Sequence, residues 1–373
     1  MRRRKPTAPN APAIRPVAAA ASTPAVVAAP RRPRKFWVKL IVLALLGAAG
    51  WGAWSVWGPD PLDDIRAALD RREFGVANEL LTKRLVERPT DPDTRLLAVR
   101  AARRSGDRLR AAEHLRKYLD AHGTRAAIEL ESALLRAQGG DAAEADRLFA
   151  AYIDRPETAD TPFVLEAYLE GKLKVRSSIP DDVANLRRAA DLWLRLRPGR
   201  ADQIQGRLWL AIVCEAVKDQ PAGVAVLREV LDLDPDHFDA RFLLALALAQ
   251  EKPDESRHHL EVLREKYPAN AYVQFGLATT YRVLGRQGDA RLLLDGLLAE
   301  PLRGSALVEL ASIDLDEGKV AEAERRLRTA LELSPNSAEA NLAMSRCQQL
   351  AGRPAEAAKY RKRFDDIEAA RPK

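Results

Sequence analysis

The sequence predicts an all-α fold: a solenoid built from about nine stacked helix-turn-helix units. Three observations lead there. First, Ala306 to Pro335 reads as two amphipathic helices joined at Gly318. Leu307, Leu310, Ala311, Ile313 and Leu315 mark one apolar face, and Ala323, Leu327, Ala330, Leu331 and Leu333 mark the other, at helical spacings of three and four. Second, comparable units recur about every 33–34 residues through most of the chain. One pair cannot bury its apolar face alone, so it stacks on neighbours. Third, 47% of residues are hydrophobic but only 6% aromatic, and no alternating Val/Ile/Thr run suggests a strand.

Within Ala306–Pro335, small residues Ala311, Ala323 and Ala330, the turn glycine Gly318 and the stop proline Pro335 fall where one repeat family has them. The unit resembles a tetratricopeptide repeat. That resemblance covers about 310 of the 373 residues. It implies a right-handed superhelix whose first helices line a concave, protein-binding groove.

Residues 1–35 hold nine Lys and Arg and no acid, so the +7 of the whole chain becomes −2 for the remainder. A near-neutral repeat region has no electrostatic footprint for a phosphate backbone, and no nucleic-acid partner is expected. The Ala/Pro/Arg tail cannot supply a core and is expected to be disordered.

Phe36 to Trp57 is 22 residues long with one charge, Lys39, and tryptophans at both ends. A membrane span needs ~20 apolar residues. Basic residues precede the stretch and Asp60, Asp63 and Asp64 follow it. The expectation is a transmembrane helix at 36–57, with the tail cytoplasmic and the repeats periplasmic. A cleaved signal ending near Trp51-Gly52-Ala53 is the competing reading. Ala44, Ala48 and Gly52 form a small-xxx-small row that would allow a homodimer. The Ala- and Arg-heavy composition suggests a bacterium with a GC-rich genome, hence a bacterial inner (cytoplasmic) membrane.

The repeat domain is expected over 58–371. Its opening pair, 58–91, has Ala77, Leu81 and Pro89. The unit at 92–125 has Gly106, Ala111, Leu115 and Tyr118, and that at 126–159 has Gly140, Ala145 and Phe149. The fourth, 160–200, is degenerate: Lys174–Asp182 is a connection longer than the family's turn. Units follow at 204–237, 238–270, 271–303, 304–337 and 338–371, the last ending in a charged run suited to a solvated cap.

No phosphate loop, dinucleotide fingerprint, HExxH pair or nucleophile elbow occurs. No catalytic residue, metal ligand or cofactor is predicted. His258 and His259 are adjacent, so they point to different sides of a helix. Asp234, Asp236, His237 and Asp239 cluster at a junction, where acids favour the start of the next helix. Cys214 and Cys347, four repeats apart, are expected as buried free thiols.

The resemblance implies that positions 2, 5, 9, 12 and 13 of each repeat face the groove. The candidate protein-binding residues are Arg100, Arg103, Arg104, Leu208, Phe242, Phe275, Arg282, Val308, Leu342 and Arg346. The family's Lys/Asn clamp for a terminal carboxylate is missing from these positions. The expected function is a membrane-anchored, non-catalytic scaffold holding a segment of another envelope protein, with Phe242 and Phe275 as anchors. An accessory subunit of an envelope enzyme or secretion assembly is the alternative. An enzyme built around Ser177 and Ser178 of the insertion is a more distant one.

Overall fold

The computed structural model describes residue 60 and residues 62–175, 180–299 and 301–370. Among the described residues the chain is all-α, with eighteen α-helices and no strand. They follow one another as nine pairs: α1 (Asp63–Asp70) and α2 (Phe74–Glu87), α3 (Pro92–Arg104) and α4 (Arg108–His122), α5 (Ala126–Gln138) and α6 (Ala142–Tyr152). Next come α7 (Thr161–Val175) and α8 (Pro180–Leu196), α9 (Arg200–Ala216) and α10 (Gln220–Leu233), α11 (Phe238–Leu248) and α12 (Pro253–Lys266). The last are α13 (Ala271–Val283) and α14 (Gln287–Gly296), α15 (Arg303–Asp316) and α16 (Val320–Leu333), α17 (Ala338–Leu350) and α18 (Pro354–Ala370). A 3₁₀ turn at Leu297–Ala299 follows α14.

Local chemistry sets these boundaries. Asp91 accepts from the Thr94 N–H at 3.0 Å and Asp107 from the Arg110 N–H at 3.0 Å. Asp141 and Ser337 cap α6 and α17 at 3.1 Å each, and Asn270 caps α13 through two N–H groups. Each satisfies a donor that the first helical turn leaves orphaned. At the turns inside the pairs, Gly106, Gly285, Gly318 and Gly352 have φ of 72–82°, which glycine adopts without steric cost. The first and fifth pairs put Arg72 and Lys218 there instead, both at φ 58°.

The stop prolines are stapled to the next pair. At four of them the side chain six residues on donates to the proline carbonyl: Arg95 to Pro89, Arg241 to Pro235, Gln274 to Pro268 (2.7 Å) and Asn341 to Pro335 (3.1 Å). A carbonyl at a helix end has no intrahelical partner, and this side chain supplies one.

The fourth pair departs from regular stacking. Helix α7 is apolar nearly all round, and Val164, Leu165, Glu166, Ala167, Tyr168 and Leu169 are all buried. A helix of this kind belongs inside. It packs directly on α5 as well as on α6 and α8. The approach is so close that a Cβ at Gly171 would lie 2.1 Å from the Ala137 carbonyl oxygen. Phe149 stacks on Tyr168 at 4.3 Å, and Trp193 meets Trp209 edge-on at 5.2 Å within the same core. The largest apolar cluster therefore surrounds α7. Of the insertion, residues 176–179, including Ser177 and Ser178, lie outside the described residues.

The membrane expectation is corrected. Among the described residues no helix is long and apolar enough to cross a membrane. The longest, α8, α9 and α18, have 17 residues each, about 26 Å at the helical rise against the ~30 Å of a bilayer core. The apolar faces of α8 and α9 are spent on neighbouring helices, and α18 is rich in charge. The single-pass inner-membrane placement is therefore withdrawn. The stretch 36–57 itself, like the 1–35 tail, lies outside the described residues.

Candidate protein-binding groove

The candidate residues all sit on the first helix of a pair, but the chain uses them in two different ways. Arg103 and Arg104, at the end of α3, are buried. Arg103 Nε donates to Glu131 at 2.9 Å, and Arg100 Nε donates to the other oxygen of Glu131 at 2.7 Å. Arg104 Nε donates to Glu166 on α7 at 2.8 Å and its Nη1 to the Leu69 carbonyl at 2.9 Å. Arg72 reaches from the first turn to Glu166 at 2.8 Å and to Asp202 on α9 at 3.4 Å. Arg197 joins Asp202 at 2.8 Å and Asp70 at 3.1 Å. Arg100 also lies 4.0 Å over the Phe163 ring.

This network joins the first pair to the fifth across the faces of α3, α5 and α7. Burial works against the charge on Glu131, but Arg103 and Arg100 more than offset it and hold the carboxyl below its ordinary range. Glu166 behaves alike, desolvation being outweighed by Arg104 and Arg72. Glu170, one turn along α7, lacks a close guanidinium. Burial and then the charge of Glu166 push it up to about 7, and it accepts a hydrogen bond from Gln138. The arginines expected to meet a partner are thus occupied by carboxylates of their own chain. Removing one member of a buried pair strands the other, so this is a structural cluster with high stakes.

From α9 onward the first-helix face is open. Leu208, Phe242 and Phe275 are half-buried, Val308 is nearly covered and Leu342 is 39% exposed. Leu246 (45%) and Tyr272 (61%) add larger apolar surface on the same stripes. A cleft of 650 Å³ opens among α9, α10 and α11, with Ile212, Leu227, Leu243 and Leu246 as apolar wall and Glu215, Lys218 and Asp219 at its charged side. Val308, Leu342 and Arg346 line a second of 360 Å³ between α15 and α17. Phe242 and Leu246 approach Gly276, which ties α11 to α13. Arg282 donates to Glu309 at 2.7 Å, and Arg346 to Asp316 at 3.0 Å, tying α13 to α15 and α15 to α17.

Other candidates resolve into structural roles. His237 accepts from the Ala240 N–H at 3.3 Å, Asp234 from the Asp236 N–H at 3.3 Å, and Asp236 pairs with Lys266. Among the described residues no group of three or more His, Cys, Asp or Glu could hold a metal ion. Cys214 and Cys347 are buried and free, and burial raises both thiols. Reasoning from the sequence missed Arg72, Glu131, Glu166 and Asp202. One signal was present: Glu166 interrupts the apolar run of Phe163–Leu169, and a charge there needs a buried partner.

Tetratricopeptide-repeat family profiles match residues 219–252, 246–303 and 314–363. No curated protein matches significantly. Among solved structures, the crystal structure of MamA is 16% identical with a TM-score of 0.34, covering 43% of this chain and 94% of its own. MamA MSR-1 is 21% identical at 0.34, covering 45% and 97%. MamA AMB-1 is 23% identical at 0.32, covering 44% and 98%. The chain carries tetratricopeptide repeats over 219–303 and 314–363.

Proposed function

We propose that the protein is a non-catalytic interaction scaffold whose working surface is the first-helix face of its carboxy-terminal half, from Leu208 on α9 to Arg346 on α17. One observation carries this reading. The charged side chains of the corresponding amino-terminal face are consumed in internal ion pairs, whereas the stripe from α9 onward leaves Leu246, Tyr272 and Leu342 in solvent. Apolar anchors with a polar surround are what a protein segment requires of its receptor. Phe242 and Phe275 form the floor, and Arg282, Glu309, Asp316 and Arg346 form a charged edge already arranged by their own pairing. Arg100, Arg103 and Arg104 are left out of this surface. The test is in-cell crosslinking with mass spectrometry of what remains attached. Partner crosslinks should concentrate on α9, α11, α13, α15 and α17. Crosslinks confined to the second helices would overturn the proposal.

A further inference from the structure

From the pitch, lining and charge of this face we infer that its occupant is a basic, proline-rich segment bound as a polyproline II helix; the inference rests on the groove reading above.

The pitch comes from the stacking. Consecutive first helices α11, α13, α15 and α17 are in contact, and packed helices lie ~8–10 Å apart. Each contributes an apolar residue at the same place: Phe242, Phe275, Val308 and Leu342. A polyproline II chain advances about 9 Å per three-residue turn, so every third residue meets the next helix. An extended strand returns to one face every ~6.6 Å and falls out of register at the second step.

The lining points the same way. Phe238 and Phe242 stack at 5.9 Å, and Tyr267 meets Phe238 edge-on at 5.0 Å. Tyr272 and Phe275 stand on one face of the next first helix, three residues apart. Flat rings over a shallow floor suit the rigid, slender polyproline helix, which loses little conformational entropy on binding. The stripes and the clefts between them hold six carboxylates (Glu215, Asp219, Asp239, Glu309, Asp316, Glu339) against four bases, Lys218, Arg282, Arg346 and Arg361; Arg282 and Arg346 are paired with Glu309 and Asp316. The face is therefore formally negative, and complementarity calls for Arg or Lys between the prolines.

The experiment is fluorescence anisotropy with the full chain and labelled fifteen-residue probes of repeating Arg-Pro-Pro, Arg-Gly-Gly and Glu-Pro-Pro. A third basic probe is an amphipathic Leu/Lys peptide that folds as a helix. Arg-Pro-Pro should bind at least tenfold tighter than either repeat control and tighter than the helical probe. Tyr272→Ala, at an exposed position, should weaken it at least fivefold with unchanged melting temperature, and Asp239→Lys should weaken it at least fivefold at temperatures where the variant remains folded. Equal binding of Arg-Gly-Gly would reduce the effect to charge and overturn the inference. Preference for the helical probe would also overturn it, and would leave the groove reading standing. Absence of all probe binding, with cellular crosslinks still on the first-helix stripe, would likewise sink the polyproline assignment alone. Crosslinks on the second helices would sink both.

Discussion

Glu170 and His114 lie in the same half of the molecule and titrate in opposite senses. Glu170 is raised to about 7 by burial and by Glu166, so the folded state prefers it protonated. Below its unfolded value near 4.5 that preference costs nothing; stability is lost as pH rises through about 7. Glu170→Gln should match the parent at pH 4.5 and exceed it by on the order of 2 kcal/mol at pH 8, measured by urea unfolding. His114 is lowered to about 4 by burial and by Arg95, whose Nη1 lies 3.0 Å from its Nδ1. The folded state therefore prefers neutral imidazole. That contribution is complete above pH 6.5 and lost as pH falls through about 4. His114→Gln should flatten the acid limb between pH 6.5 and 4 in the same titration.

At the scale of elements, two backbone positions separate strain with a purpose from strain without one. Arg72 holds φ 58° where most pairs have glycine, and its side chain reaches Glu166 and Asp202. Lys218 holds the same φ with an exposed side chain. A left-handed residue costs roughly 1–2 kcal/mol. Lys218→Gly should accordingly raise stability by about 1 kcal/mol. Arg72→Gly should lower it, because the buried carboxylates lose a partner; removing one member of such a pair costs about 3–5 kcal/mol. Thermal melts of the two variants should move in opposite directions. Helix α7 sets the other element-scale test. Gly171→Ala places a methyl against the Ala137 carbonyl, a backbone atom that cannot rotate away. The expected loss is about 2–3 kcal/mol, much more than at Gly75, where nothing lies within 4 Å.

For the whole repeat region, the division of labour between the halves gives the last prediction. The third to fifth pairs converge on α7 through one large apolar cluster, and a buried ion network ties the first two pairs, which have smaller clusters of their own, to the same helix. The carboxy-terminal pairs form smaller clusters strung along the chain, and α18 buries little beyond Ala357. Amide hydrogen exchange should be slowest in α7 and its contacts and fastest in α18, since local opening follows buried contact density. Arg104→Ala should destabilise the amino-terminal half by about 3–5 kcal/mol and leave partner capture unchanged at temperatures where the chain stays folded. A loss of capture in a fully folded Arg104→Ala protein would return these arginines to the binding surface.

The helices, their pairing and most turns are legible in the amino-acid order. Apolar spacing, Gly318 and its counterparts, Asp and Ser caps and stop prolines are local signals whose physics acts within a few residues. The order of first and second helices followed from the same repetition, and the apolar candidates from Leu208 to Leu342 from the resemblance to the tetratricopeptide repeat. Which side chains of the first-helix face remain available depends instead on contacts between distant pairs. Arg103 looks like a groove ligand when its repeat is considered alone. It becomes a core residue because Glu131, 28 positions away, is brought against it. Arg104 follows Glu166, and Arg72 is claimed by a carboxylate 130 residues distant as well. Repetition fixes where a side chain points within its own pair. Whether a charge meets water or an opposite charge depends on how far the face bends back on itself, and the irregular fourth pair sets that by placing α7 inside.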